Sequence, residues 1–533
     1  MAMRVVVDLA RCQSYGQCVF AAPEIFELTG GPEALAAGPE VLEYDSAPDE
    51  RLRRHAERAR AACPVQAITI GPAAGPQRDR SATGPGAEVT VNATPDPGQR
   101  LFGDRFPGQP PGAGQVVIVG ASLAAVHAAE ALREGGFTGR VTFVGAEPYP
   151  PYDRPPLSKR VLAGRLSAED TGLPQSAGLN AGWRLGVAAV ALDTRARTVT
   201  LADGDVLGFD KLLIATGTRA RAWPQPDEAS LDGVVTIRTR DDARELRARL
   251  AAGPRRVLVI GAGFVGSETA SVCRELGLEV TVVERAPAPL AGALGGPAGA
   301  AAGRLQRRHG VDLRTSTSVL ALEGDADGRV RRARLSDGDI LDVDVVVVAL
   351  GAIRNVEWLD GSGLAVDHRG VHCDAFSRAV HDDGRPDDDV LVAGDVACWP
   401  HPLFGDDPLA VEHWDNAVRQ ARVAATTMLH GPVLAHTALP TFWSNQFGVN
   451  IKVVGVPSRA DQVAVVQGSV RDAAFVAAYG RQGRLVGALA VNTPRALDSY
   501  AAMINDRAGF PPDLNAADAP DPIRVLDTTM PAA

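Results

Sequence analysis

From residue 115 onward, short apolar runs rich in β-branched residues alternate with stretches whose apolar positions recur every three or four residues. Residues 116–119 and 257–260 are unbroken apolar runs, the pattern of strands buried on both faces of a parallel sheet. Each is followed by a helical stretch, 124–133 and 264–276, and then by a second strand, 141–144 and 280–283. The repeat predicts two α/β units related by internal duplication. A further strand is predicted at 211–214. The last hundred residues read differently, with strand-rich segments at 442–448, 452–455 and 473–491 that predict an α+β domain. At the other end, strand-like stretches at 4–9 and 67–70 bracket a charged helical segment at 49–62. Between these parts, residues 71–114 lose all periodicity and 17 of the 44 positions are Gly or Pro, which predicts a linker. The tail beyond Gly509 is rich in Pro and Asp and is expected to be ordered only where it packs.

At 533 residues the chain has room for roughly three to four domains of about 150 residues each. A formal charge of −10 argues against a nucleic-acid partner, since an acidic surface repels phosphate. Residues 1–10 are too short and too charged for a signal peptide, and no uncharged apolar run approaches the roughly 18 residues of a membrane helix. A cytoplasmic protein with no membrane partner is expected. In a reducing cytosol six cysteines point to metal or redox chemistry rather than to a disulfide scaffold. Cys273, Cys373 and Cys398 are expected to be inert small hydrophobes.

The other three thiols, Cys12, Cys18 and a Cys63 followed at once by Pro64, fall within the first 70 residues. A block this short usually needs a staple such as a metal centre. The bacterial ferredoxin pattern has a Cys at every third position and a distant Cys-Pro; here Tyr15 takes the middle place. Three thiolates suit a 3Fe-4S cluster, one per iron. A 4Fe-4S cluster would need a non-Cys fourth ligand, and a phenol with a pKa of about 10 is a poor donor. Zinc is the other metal these thiols suit, but no fourth Cys or well-placed His completes the site, His55 lying in the helical segment. The block resembles the small actinobacterial ferredoxins that serve cytochromes P-450, over nearly all of residues 1–70.

Each α/β unit carries a glycine-rich turn between its first strand and its helix. The second reads Gly261-Ala262-Gly263-Phe264-Val265-Gly266, and Glu284 closes the next strand. Such glycines let the amides of a helix N-terminus approach a pyrophosphate, and the glutamate can hold ribose hydroxyls, so this is the NAD site, to which Gly351 is also assigned. Glu284 would meet a 2′-phosphate unfavourably, which predicts NADH over NADPH; Arg285 beside it pulls the other way. The first turn reads Gly120-Ala121-Ser122-Leu123-Ala124-Ala125, small residues replacing two glycines, with Glu147 expected to end the following strand. Ala215-Thr216-Gly217 follows the strand at 211–214, and Gly394-Asp395 is expected where a strand meets a helix, its carboxylate suited to a ribityl hydroxyl. These segments assign FAD to the first site.

The FAD segments lie on either side of the NAD unit in sequence. Such nesting of one Rossmann-like unit in another resembles the flavoprotein pyridine-nucleotide reductases. More narrowly, the segment Pro150-Pro151-Tyr152-Asp153-Arg154-Pro155-Pro156-Leu157-Ser158-Lys159, then Glu412-His413-Trp414 and Phe442-Trp443-Ser444-Asn445-Gln446, is similar to the oxygenase-coupled ferredoxin reductases typified by putidaredoxin reductase, over residues 115 to about 500. The resemblance implies an α/β, glutathione-reductase-like fold: a small α+β ferredoxin domain (1–70), a linker (71–114), an FAD-binding domain (115–224 and 351–432), a NAD-binding domain (225–350) and an α+β C-terminal reductase interface domain (433–533). It implies that Lys159 lies beside the flavin and pairs with Glu268, that Arg154 joins the FAD set, and that Glu412 and Trp414 contact the nicotinamide or the flavin edge. Trp443 would stand on the ferredoxin-facing side. Hydride transfer then depends on stacking, with no acid–base catalyst required.

The expected electron path runs from NADH to FAD to the iron–sulfur cluster to an external acceptor, which by resemblance is a cytochrome P-450 or similar haem monooxygenase. Residues 1–70 carry 7 Arg, no Lys, 7 Glu and 3 Asp, a net charge of −3, so the block is expected to dock alternately on its own reductase and on a basic haem-protein surface. A linker of this length has a root-mean-square span of roughly 35 to 40 Å and keeps the block at roughly millimolar effective concentration. The absence of cysteine from residues 121–170 excludes dithiol chemistry. Two alternatives are an NADH-dependent reductase for another oxygenase, such as a Rieske dioxygenase whose Cys2His2 ferredoxin the three-cysteine pattern speaks against, and a non-enzymatic iron–sulfur redox sensor fused to a flavoprotein.

Overall fold

Alternation builds the first strand, β1 (Met3–Val7), in which Met3, Val5 and Val7 are buried while Arg4 and Val6 face out. The computed structural model describes residues 3–7, 18, 22, 24–29, 41–62, 68–72, 114–173, 178–405, 407–493, 497–512 and 524–526. The chain divides into two units, Met1–Arg100 and Leu101–Ala533. In the first, β2 (Phe26–Thr29) pairs antiparallel with β3 (Val41–Tyr44). The helix α1 (Arg53–Ala62) follows a short turn that Asp49 caps through its hydrogen bond from the Arg51 amide. The strand β4 (Ile68–Pro72) pairs antiparallel with β1, from Met3 opposite Pro72 to Val7 opposite Ile68. It therefore continues two residues past the boundary expected at 70. Phe26, Ile25, Ala56, Ala59 and Cys18 close a small core over β1. His55 is paired with Glu24 at 3.2 Å. Cys12, Tyr15, Cys63 and Pro64, and the linker from 73 to 113, lie outside the described residues.

The second unit begins with β5 (Gln115–Val119), α2 (Leu123–Glu134), β6 (Arg140–Gly145), β7 (Gly182–Leu185), β8 (Lys211–Ile214) and β9 (Thr218–Ala220). It continues through β10 (Arg256–Ile260), α3 (Phe264–Glu275), β11 (Glu279–Glu284), α4 (Ala291–Arg308), β12 (Asp312–Thr315), β13 (Val345–Val348) and β14 (Ala352–Arg354). Then come β15 (Pro386–Val392), α5 (Trp414–His430), β16 (Thr441–Gln446) and β17 (Val449–Gly455). The last elements are β18 (Gln462–Ser469), β19 (Ala474–Arg481), β20 (Arg484–Val491), α6 (Leu497–Asn505) and β21 (Arg524–Leu526).

Strands β15, β8, β5, β6 and β7 lie side by side and parallel in one sheet, with Arg378–Val380 antiparallel on the outer edge. In a second sheet β13, β10, β11 and β12 repeat the arrangement. The two βαβ units are thus alike, as the paired apolar runs predict. The chain crosses between the sheets twice, and the crossings pair as the antiparallel ribbon β9–β14, Thr218 opposite Arg354. Insertion of the second sheet between β8 and β15 is why the first sheet is completed by a strand from much later in sequence. The consequence is functional: the carboxyl ends of β5, β8 and β15 converge, and open α/β sheets bind ligands at such ends. The C-terminal part is a six-stranded antiparallel sheet, β16-β17-β20-β19-β18-β21. Among the described residues no helix is long and apolar enough to cross a membrane.

Candidate active site

The site grows from two glycine-rich turns. Gly120 follows β5 at φ +111°, and a side chain there would collide with the carbonyl of Ala215 just past β8, so only glycine fits. In the second turn Gly261, at φ +100°, meets the Ala349 carbonyl in the same way, and a Cβ on Gly266 would strike the Gly261 carbonyl. Gly263 is different: a Cβ there would meet nothing within 4 Å. Neither α2, preceded by Ser122, nor α3, preceded by Gly263, has a side-chain cap. Both helices therefore present uncapped amides, with their positive partial charge, to the space in front of them.

That space is a cavity of about 710 Å³, within the usual range of ligand sites. Its wall brings together most of the sequence-predicted residues: Ser122, Leu123, Ala124, Arg154, Lys159, Ala215, Thr216, Gly217, Gly394, Asp395, Glu412, Trp414 and Trp443, with Gly263, Phe264, Val265, Glu268 and Gly351. Gly120, Glu147, Gly261, Gly266, Glu284 and Arg285 are not on that wall. Two uncapped helix starts, one cleared of any side chain by Gly263, fit ligands that carry pyrophosphates.

Two placements differ from expectation. Asp395 does not stand where a strand meets a helix: β15 ends at Val392, Gly394 turns the chain at φ +84°, and a short strand, Ala397–Cys398, follows. The helix near it is α5, whose buried Gln420 accepts the Gly394 amide at 3.0 Å. Glu147 lies two residues beyond the end of β6, where its carboxylate accepts from Arg154 at 2.6 Å and from the Tyr152 hydroxyl at 2.5 Å.

The sequence reading missed Arg238, which lines the cavity and reaches Asp395 at 2.7 Å and the Thr218 hydroxyl at 2.6 Å. No motif marks it. The available signal was the capping box Thr239–Asp242 of the helix Arg240–Ala251, because Asp242 also takes the Arg238 amide at 2.8 Å and so fixes its backbone.

The Lys159 ammonium, in the turn Leu157–Val161, lies 2.7 Å from Glu268 of α3. Ser158 and Ser444 each donate to the same buried carboxylate at 2.6 Å. The Trp414 indole N–H donates to Asp153 at 3.0 Å, and its ring stands 6.3 Å from that of Trp443 at 68°. Glu412 is engaged by Arg354 of the ribbon at 2.5 Å. Phe264 and Phe442 meet edge to face at 4.8 Å. Glu284, the last residue of β11, takes the amides of Ala262 and Ala286 at 2.7 Å each, and Arg285 is exposed. Burial pushes His413, on the cavity wall, down to about 4, and its Nδ1 has no hydrogen-bond partner among the described residues.

Cys273, Cys373 and Cys398 are all buried, and burial pushes the Cys273 thiol up to about 12 and raises the other two. That is the environment of inert thiols. Among the described residues no His, Cys, Asp and Glu group forms a metal site, and of the three candidate cluster ligands only Cys18 falls within them.

Residues 114–421 match the family model described as pyridine nucleotide-disulphide oxidoreductase, residues 441–526 that of the reductase C-terminal domain, and residues 5–70 that of a 4Fe-4S single cluster domain. The chain is 37% identical over 384 residues to rhodocoxin reductase of Rhodococcus erythropolis, covering 71% of this chain and 87% of that protein. It is 37% identical over 425 residues to the ferredoxin–NAD(+) reductase component of the anthranilate 1,2-dioxygenase system of Burkholderia cepacia, covering 78% and 97%. A chain of the covalent putidaredoxin reductase–putidaredoxin complex aligns with a TM-score of 0.69 at 32% identity, covering 74% of this chain and 94% of that one.

Proposed function

We propose that this chain, which belongs to the pyridine nucleotide-disulphide oxidoreductases and within them to the ferredoxin reductases, is a self-contained relay from NADH through FAD to its own iron–sulfur cluster and on to a cytochrome P-450 monooxygenase. Family membership establishes the oxidoreductase class, FAD and NAD(P)H as cofactors, an iron–sulfur cluster in residues 5–70, and electron transfer to a ferredoxin. The observation that carries the relay is that cluster domain, reductase and reductase C-terminal domain follow one another in a single polypeptide. Bound flavin supplies the exchange between hydride and single electrons.

The protein's part is to bind, orient and shield. On this reading α2, Ser122, Ala215 to Gly217, Arg238 and Asp395 hold FAD, and the Gly263 gap with Glu284 holds NADH. Lys159, kept in place by Glu268, puts a positive charge on the flavin side, where it favours the reduced, anionic form. Trp414 and Trp443 wall the cavity from water. Cys12, Cys18 and Cys63 ligate a 3Fe-4S cluster; the matched 4Fe-4S model makes the fourth iron an outcome for electron paramagnetic resonance to decide.

The deciding experiment compares acceptors in steady state. Cys18→Ala is expected to lower NADH–cytochrome c reduction at least about tenfold while ferricyanide reduction, which can take electrons from the flavin directly, stays intact. Retained cytochrome c reduction would remove the internal relay. The dioxygenase-system relative favours a second reading, service to another oxygenase. Supplying a P-450 monooxygenase and a Rieske oxygenase side by side separates the two.

A further inference from the structure

Glu268 is where three separate stretches of the cavity wall meet. Its carboxylate is 5% exposed and faces three donors: Lys159 at 2.7 Å and Ser158 at 2.6 Å on Oε2, and Ser444 at 2.6 Å on Oε1. Lys159 and Ser158 come from the turn Leu157–Val161, Glu268 from α3, and Ser444 from β16 in the C-terminal sheet. Ser444 is fully buried, and Gln446 Nε2 donates to its Oγ at 3.3 Å. With that lone pair occupied from behind, the Ser444 hydroxyl hydrogen is committed to Glu268. The donors run one way, from Gln446 to Ser444 to Glu268, and the amide at the far end has no proton to pass on. The chain is a clamp, not a proton wire.

We infer that Ser444 is a positioning residue for Lys159. By holding Oε1 it turns Oε2 toward the ammonium, so the C-terminal sheet sets where the charge of Lys159 sits in the cavity. This rests on the proposed reading of Lys159 as the cation facing the flavin. A buried carboxylate oxygen that loses its donor swings to recover one, because leaving it unsatisfied is costly. Lys159 then follows, or loses its carboxylate partner and keeps only the Pro155 carbonyl, to which it donates at 3.2 Å.

The test uses the full-length, FAD-loaded protein. Ser444→Ala is expected to keep its flavin, to slow anaerobic flavin bleaching by NADH about tenfold, the equivalent of one hydrogen bond to a charged group, and to lower the flavin midpoint potential. Ser444→Thr keeps the hydroxyl and is expected to restore both. In a Glu268→Gln background, Ser444→Ala is expected to change neither further. The inference is overturned if Ser444→Ala has wild-type bleaching and potential, or if its effect is the same with and without Glu268→Gln, which marks a packing role. Loss of FAD or of folding that threonine does not reverse also overturns it. Failure of NADH to bleach the wild-type flavin would instead refute the reading of the cavity itself, whatever Ser444 does.

Discussion

The Trp414 indole N–H donates to the buried Asp153 carboxylate at 3.0 Å, tying the first turn of α5 to the Pro-rich segment that precedes Lys159. The two residues lie on opposite sides of the nested sheet in sequence, so this bond helps to close the cavity wall. Removing the acceptor leaves a part-buried N–H without its partner. Asp153→Ala is therefore expected to destabilise the reductase by about 1 to 3 kcal/mol and to speed flavin release, and Asp153→Asn, which keeps an oxygen in place, to recover most of both. Denaturant unfolding and flavin fluorescence measure the two effects; an Asp153→Ala protein as stable as wild type would show that the bond contributes nothing.

Two glycines three positions apart should behave in opposite ways. A Cβ on Gly266 collides with the Gly261 carbonyl, so Gly266→Ala forces the turn away from α3 and is expected to cost about 1 to 3 kcal/mol of stability. A Cβ on Gly263 touches no protein atom, so Gly263→Ala is expected to fold and hold FAD normally. It places a methyl group where the pyrophosphate of NADH must approach, and the expected result is a rise of about tenfold or more in the KM for NADH. Equal losses of stability in both variants would contradict the assignment of the gap.

Much of this arrangement was legible because its signals are local. The apolar runs at 116–119 and 257–260 lie within β5 and β10, and the turns after them carry their glycines in sequence. Asp395 was misplaced because a strand followed by Gly-Asp reads like a strand-to-helix turn, whereas the left-handed Gly394 sends the chain into another strand. Arg238, Asp153 and Ser444 were not legible as partners. Each acts through a pairing across more than a hundred residues, Arg238 with Asp395 and Ser444 with Glu268 among them, and no periodicity encodes a buried polar contact between distant segments.

Stability should fall on the acid side well before carboxylates titrate. Burial holds His127, His413 and His436 each down to about 4, whereas an unfolded histidine titrates near 6.5. Between those values the unfolded chain takes up protons that the native one refuses. The stabilisation is complete above about pH 6.5 and is lost as pH falls toward 4, at about 1.4 kcal/mol per pH unit for each histidine. Glu169, held at about 2 by Ser167 and then Arg244, begins to lose its own contribution only below its ordinary value of 4.5. Urea midpoints between pH 4.5 and 7 test this window. His127→Gln is expected to flatten the slope, and a slope unchanged by it would mean that His127 titrates normally in the fold.

Coenzyme preference should rest on Glu284. Its two oxygens are each fixed by a backbone amide, Ala262 and Ala286, so the carboxylate cannot easily turn aside for an incoming anion. Two like charges at about 4 Å repel by about 4 kcal/mol at an effective dielectric constant of about 20, and about a third of that already amounts to tenfold discrimination. Arg285 is exposed and offers a 2′-phosphate partial relief, which is why the expected preference is modest. The wild-type kcat/KM should favour NADH over NADPH by at least about tenfold, and Glu284→Gln, which keeps the shape but removes the charge, should bring the ratio to within about threefold through the KM for NADPH. Flavin reduction followed with each coenzyme decides it: an unchanged ratio in Glu284→Gln would move the determinant of specificity away from β11.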